Sequence, residues 1–349
     1  MRLTTPTTLT GIACGMGAGA VWGLVFLAPR LVDSFNPLQL SVGRYLCYGL
    51  IAAVLLAPRW TALAARIGRQ QWLSLVWLAL TGNTLYYLLL ASAVQNGGIA
   101  MTSLVIGFLP VMVTVIGSRA AGAIPLGRLL PSLLLYAAGA LCIGWQTLSG
   151  TGAHTAGGQI FGLLCALGAL ASWSAYAVGN ARCLTRLKQV SAQDWNLLTG
   201  VVTGAQNLLL LPAALLLATH HSGGEWTGFA AVSIGVAVLA SIVGNALWNR
   251  MSRLLPLTLV GQMILFETLF ALLYGFLLEQ RWPTVRELLA LGLVAASVLS
   301  CLAVHHNPAA PAQASDQASA AATARRWAPI ETRCMVGQPD TSIPVSSAK

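Results

Sequence analysis

The stretch "ILFETLFALLYG" at residues 264–275 sets one carboxylate, Glu267, in a run that is otherwise almost wholly apolar. On a soluble protein such a glutamate would sit on a helix surface with apolar neighbours. In a bilayer it is costly to keep, and it is then a functional-site candidate by default. The fold therefore turns on which solvent surrounds this segment.

Composition identifies that solvent. Charged residues make up 8% of the 349-residue chain, against about 25% in soluble globular proteins, and the mean hydropathy is +0.74. A water-soluble chain of this length needs far more polar surface. The apolar runs also have the length to span, since roughly 20 residues of helix cross about 30 Å of hydrocarbon. Such runs fall at 9–30, 37–57, 71–93, 98–117, 128–149, 157–181, 194–218, 227–248, 255–278 and 284–304. The expectation is an all-α integral membrane protein with about ten transmembrane helices.

Orientation follows from the basic residues, because cytoplasmic loops retain Lys and Arg. The loops after spans two, four, six and eight hold Arg59, Arg66 and Arg69; Arg119 and Arg128; Arg182, Arg186 and Lys188; and Arg250 and Arg253. The alternate loops pair Arg30 with Asp33, lack charge in "VQNGG" (94–98) and "GTGAHTAG" (150–157), and carry Glu225, then Glu279 with Arg281. Both termini are expected in the cytoplasm, with the first span retained because its apolar run exceeds a cleavable signal. The net charge of +10 is this bias. Its dispersal over loops argues against a nucleic-acid partner, which needs one basic patch.

The seven cysteines form no C-x-x-C pair and mostly fall inside spans, as small packing residues. From residue 305 to 349 the chain turns to Ala, Pro, Ser, Gln and Thr, a composition expected to be a disordered cytoplasmic tail. No metalloprotease, nucleophile-elbow or P-loop motif is present, and the His220–His221 and His305–His306 pairs lack partners arranged for a metal. The chain reads as no enzyme, with no cofactor and no ATP drive.

An internal repeat is visible. "FLPVMVTVIG" (108–117) overlies "FETLFALLYG" (266–275), and at the same offset "IPLGR" (124–128) overlies "WPTVR" (282–286). A second echo, "GNTLY" (82–86) against "GNALW" (244–248), lies four residues out of that register. Five spans per half force the halves into opposite orientations, the inverted-repeat plan of many secondary transporters, whose site lies near the midplane between repeats. The repeats would cover 9–149 and 157–304.

Residues 11–304 resemble the EamA-type members of the drug/metabolite transporter superfamily. The resemblance is carried by "GAGAVWGLVFLAPRL" (17–31), "PLQLSVGRYLCYGLIAAVLL" (37–56), "GLLCALGALASWSAYAVGNARCLTR" (162–186) and "FETLFALLYGFLLEQRWP" (266–283), in that order and spacing. It implies export or exchange of small metabolites such as amino acids across a bacterial-type inner membrane. Two positions depart from the family pattern. "GSRAAG" (117–122) lacks a Gly-Glu pair, and Thr268 stands where Pro is usual.

The polar residues inside the spans are the candidate site. Glu267 lies about 18 Å into span nine, with Phe270 and Tyr274 on its face. Arg44 lies about 10 Å into span two from the opposite side, flanked by Ser41 and Tyr48. An arginine cannot discard its charge, so it needs a carboxylate, carbonyls or water. It is expected to bind a substrate carboxylate, or to pair with Glu267; the blander reading is snorkelling to the headgroups. Glu267 has its own bland reading, an interhelical hydrogen bond in the protonated form. Trp22, Tyr86, Tyr87, Trp173 and Tyr176 would wall the cavity, against the ordinary alternative that each merely packs. Partners are then a small-molecule substrate, the lipid bilayer and protons as coupling ion; a homodimer is compatible. The rival functions are a facilitator or importer of another solute class, and a membrane-embedded binding or sensory protein without turnover.

Reporter fusions after Arg69, Arg119, Lys188 and Arg253 should report cytoplasm, and fusions at Gly97, Gly152 and Gly223 periplasm; swapped signals near residues 150–157 would break the five-plus-five plan. Truncation after Asn307 should leave expression and transport nearly unchanged.

Overall fold

The computed structural model describes residues 6–117, 126–148, 156–187, 190–217, 220–255 and 257–306. The tail from 307, Arg119, Lys188, Pro125 and most of "GSRAAG" and "GTGAHTAG" lie outside them. Among the described residues there is no strand. The main helices are α1 (Pro6–Gly23), α2 (Pro37–Leu56), α3 (Arg69–Ala79), α4 (Leu85–Ile106), α5 (Leu109–Gly117), α6 (Leu126–Leu148), α7 (Ala156–Arg186), α8 (Ala192–Leu216), α9 (Gly223–Val236), α10 (Asn245–Leu254), α11 (Leu257–Leu278) and α12 (Val285–His306). Two π-helical segments, Leu80–Thr84 and Ala237–Gly244, join α3 to α4 and α9 to α10.

Six helical stretches among the described residues are long and apolar enough to cross a membrane: Thr7–Leu31, Pro37–Ala64, Arg69–Ile106, Gly157–Asn180, Gln193–Leu216 and Gly223–Ser252. A shorter apolar helix runs Met263–Leu278. The Arg69–Ile106 stretch of 38 residues would be about 57 Å long as one straight helix, almost twice the hydrocarbon thickness. Gly98 breaks it, with φ +82° and ψ 167°. A side chain would strain that conformation, and glycine does not. The break falls at the expected boundary between spans three and four.

Local signals set the helix starts. The Asn36 side chain accepts from the Gln39 N–H at 2.9 Å, and Gln39 Oε1 accepts from the Asn36 N–H at 2.9 Å. Pro37 occupies the first turn of α2, where its missing N–H costs nothing. Ser222 and Glu225 cap α9 in the same reciprocal way. Between α11 and α12, Arg281 donates to Glu287 at 2.7 and 2.8 Å and to Glu279 at 2.6 Å. These bonds, with Glu287 the stronger partner, raise the Arg281 pKa above its ordinary value.

Helix α2 packs on α8, α6 on α12, α4 on α7, and α1 on both α10 and α11. Small residues bring α2 and α8 close: a Cβ on Gly204 would lie 2.7 Å from the Gly49 Cα. Without a hydrophobic drive between helices in lipid, such close approach and interhelical polar bonds hold them together. Ser132 and Ser297 exchange hydroxyl-to-carbonyl bonds of 2.8 and 2.7 Å between α6 and α12. The outer surface is apolar, with Leu209 82% and Leu216 87% exposed on α8. Large aromatics fill the interior instead: Tyr45, Tyr48, Tyr87, Tyr136, Phe26 and Phe35 are fully buried.

Gly204→Leu should drive α2 and α8 apart and cost about 1–3 kcal/mol, read as a lower unfolding temperature in detergent. Gly235→Ala, with nothing within 4 Å of the new Cβ, should leave that temperature unchanged.

Candidate solute-binding site

Two buried charged side chains come from the middles of α2 and α11. Arg44 is 8% exposed and Glu267 7% exposed. Arg44 Nη2 donates to Ser241 Oγ at 3.3 Å, and Ser241 belongs to the second π segment. The guanidinium carbon lies 4.5 Å from the centroid of the Tyr87 ring and 4.9 Å from that of Tyr45. Two aromatic faces therefore replace part of the hydration of the cation. Its Nε and Nη1 atoms are buried without a hydrogen-bond partner. Snorkelling is not what this side chain does, because its head is enclosed.

Glu267 is within electrostatic reach of Arg44 and of Tyr86. No ion pair within 4.0 Å joins Glu267 to Arg44. Direct pairing, one of the two expected roles of Arg44, is absent from this conformation. Among the described residues no hydrogen bond links the Glu267 side chain to another helix. The neighbouring Thr268, where the family usually has Pro, makes such a bond: its Oγ1 donates to the Ser103 carbonyl of α4 at 3.4 Å.

The other expected site residues divide. Tyr86 and Tyr176 join the central group, within electrostatic reach of Arg44 or its tyrosine neighbours. Tyr48 is near it but is used for packing, donating to the Asn196 carbonyl at 2.8 Å and so tying α2 to α8. Ser41 does the same through Asn207 at 3.0 Å. Asn207 Nδ2 donates on to Thr84 Oγ1 at 3.0 Å, and Asn83 Nδ2 to Thr203 Oγ1 at 3.1 Å. Trp173 is tilted against Tyr176 with centroids 5.7 Å apart. Tyr274 packs on Phe270, also 5.7 Å apart. Tyr45 and Ser241 were not legible as site residues. Tyr45 follows Arg44 directly, a spacing that helical geometry places on different faces, and a serine in an apolar run carries no signal of its own.

Trp22 has a definite role. Its Nε1–H donates to the Ala240 carbonyl at 2.9 Å, and a Cβ on Gly244 would lie 2.5 Å from that nitrogen. The first half repeats this arrangement. Ser172 Oγ on α7 donates to the Thr81 carbonyl at 2.7 Å, and the Tyr176 ring lies where a Gly82 side chain would be. A π turn slips the helical ladder and leaves backbone groups to other partners, here supplied by α1 and α7. The two Gly-Asn pairs of the displaced echo thus lie at equivalent breaks. His221 has Glu225 Oε1 at 4.0 Å and stacks on Phe35. No group of three metal-binding side chains forms among the described residues.

The EamA-like transporter family matches residues 9–145 and again residues 160–302. The chain belongs to that family. It is 32% identical over 317 residues to the inner membrane protein YtfF of Escherichia coli (strain K12), covering 87% of this chain and 97% of that protein. A crystal structure at 18% identity aligns with a TM-score of 0.60 over 86% of this chain and 99% of its own. That likeness concerns the fold alone.

Two unsatisfied nitrogens make Arg44 a destabilising residue. Arg44→Met should raise the unfolding temperature in detergent, by the equivalent of about 1–3 kcal/mol.

Proposed function

We propose that this EamA-like transporter is a secondary transporter of the inner membrane that exports a small amphiphilic metabolite such as an amino acid. It acts as a transporter rather than an enzyme, with a proton gradient or solute exchange as its drive. The single observation that carries the reading is the Arg44 guanidinium, enclosed by Tyr45 and Tyr87 with two donors unused. Arg44 binds the solute carboxylate, for which its planar fork is suited. Glu267 is the proton carrier, its affinity for a proton changing as the solute and Arg44 move toward or away from it. Tyr86, Trp173, Tyr176 and Tyr274 wall the path; Trp22 and Tyr48 hold the helices that form it.

We infer further that residues 9–149 and 157–304 are inverted five-helix repeats, ten spans in all, with both termini cytoplasmic. The doubled family match supports this, as do the crossed contacts. Trp22 of α1 meets the π segment of the second half, and Ser172 and Tyr176 of α7 meet that of the first.

Flux of labelled amino acids in proteoliposomes, with and without an imposed pH gradient, tests the function. Glu267→Gln should abolish gradient-driven accumulation while retaining part of the exchange. Arg44→Lys keeps the charge, loses the fork, and should raise KM for a carboxylate solute by roughly tenfold or more. Wild-type flux and pH response in Glu267→Gln would remove the carboxylate from the mechanism. Binding without flux would favour the sensory reading.

A further inference from the structure

Two of the remaining unsatisfied buried groups lie on the α2–α9 side of Arg44. Gln39 is 5% and Ser233 4% exposed, and Gln39 Nε2 and Ser233 Oγ have no hydrogen-bond partner. Asp194 Oδ1 completes the buried set, and it is ion-paired with Arg59 at 2.9 Å. The orientation of the Gln39 amide is decided by its cap, because Oε1 accepts from the Asn36 N–H at 2.9 Å. Nε2, with two hydrogens to donate, is the atom left over.

Gln39 and Gly43 share one face of α2, four residues apart. A Cβ on Gly43 would lie 2.6 Å from Ser233 Oγ and 2.5 Å from Phe229 Cζ, so this face meets α9. Next along α2, Arg44 reaches Ser241, eight residues beyond Ser233 in the same helical stretch. The seam between α2 and the α9–π stretch thus carries two groups of unused donors. Gln39 stands near the Pro37 end, about 7.5 Å before Arg44 along the axis of α2, and Ser233 stands level with Gly43, about 12 Å before Ser241 along its own stretch. Buried donors with no acceptor cost stability unless a ligand supplies one.

We propose that Gln39 and Ser233 form a second subsite, which binds an oxygen acceptor at the far end of the solute whose carboxylate is held by Arg44. The solute class is thereby narrowed to two-headed molecules: a carboxylate at one end and a second carboxylate, amide or hydroxyl oxygen several bonds away. A solute ending in an ammonium is disfavoured, since Gln39 Nε2 offers it only N–H donors and Ser233 Oγ is the single acceptor of the pair. The assignment rests on the carboxylate role of Arg44, and the two are separable by experiment.

Adipate and 6-aminohexanoate have equal chain length and one shared carboxylate; they differ only at the second head. Each is titrated into the purified full chain in detergent, and binding is read by calorimetry and thermal shift. The wild type should bind adipate roughly tenfold or more tighter than 6-aminohexanoate, as expected for hydrogen bonds to a charged group. Ser233→Ala and Gln39→Glu should erase that preference by weakening adipate alone. Gln39→Glu retains the acceptor for Asn36 and removes the donors. Ser233→Ala should also unfold at no lower temperature than wild type without ligand, which separates lost binding from lost folding. Arg44→Lys should weaken both probes. Equal affinity of the two probes for the wild type, or an undiminished preference in both subsite variants, overturns the second subsite. If Arg44→Lys leaves both affinities unchanged, the carboxylate role of Arg44 falls, and with it the two-headed assignment. Absence of binding by the wild type to either probe overturns the subsite as well.

Discussion

The charge on Arg44 is permanent, and α2 carries it into the interior of an otherwise apolar bundle. An ion so placed must be given partners or a wet environment, since its cost in hydrocarbon is measured in kcal/mol. Here Tyr45 and Tyr87 offer their ring faces and Ser241 a single hydroxyl. That partial compensation leaves donors free for something else. The surrounding architecture serves this arrangement: Ser41 and Tyr48, on either side of Arg44, are bonded to α8, so the helix that carries the charge cannot rotate to release it.

Glu267 answers to the same constraint from the opposite helix. A direct pair with Arg44 would satisfy both charges and also consume the donors that a solute needs. Holding the two apart, yet within electrostatic reach, keeps each responsive to the other.

The paired π segments connect this centre to the rest of the fold. Each interrupts one long helix beside a Gly-Asn pair, and each is held by a side chain from the other half: Trp22 on the Ala240 carbonyl, Ser172 on the Thr81 carbonyl. Ser241, which accepts a hydrogen bond from Arg44, lies in one of these segments. The position of the guanidinium is therefore tied directly to the geometry of that segment.

The sequence by itself determined the membrane setting, the helical class and the presence of Glu267 and Arg44 inside apolar helices. Those properties follow from composition, run length and the energetic cost of burying Glu267 and Arg44, and they need no knowledge of contacts. The Gly98 break was visible as a polar, glycine-rich gap, and the four-residue slip between "GNTLY" and "GNALW" was visible as an offset. What the slip meant was not, because a π turn is a matter of backbone register that depends on partners from α1 and α7. Tertiary structure alone decided that Tyr45 and Tyr87 enclose the cation, that Tyr48 and Trp22 are fasteners of the helices, and that Gln39, Ser233 and Arg44 share a seam. Residues from α2 and α9 lie almost 200 positions apart in the chain, and which of their hydrogen bonds go unmade is fixed only when the helices are packed.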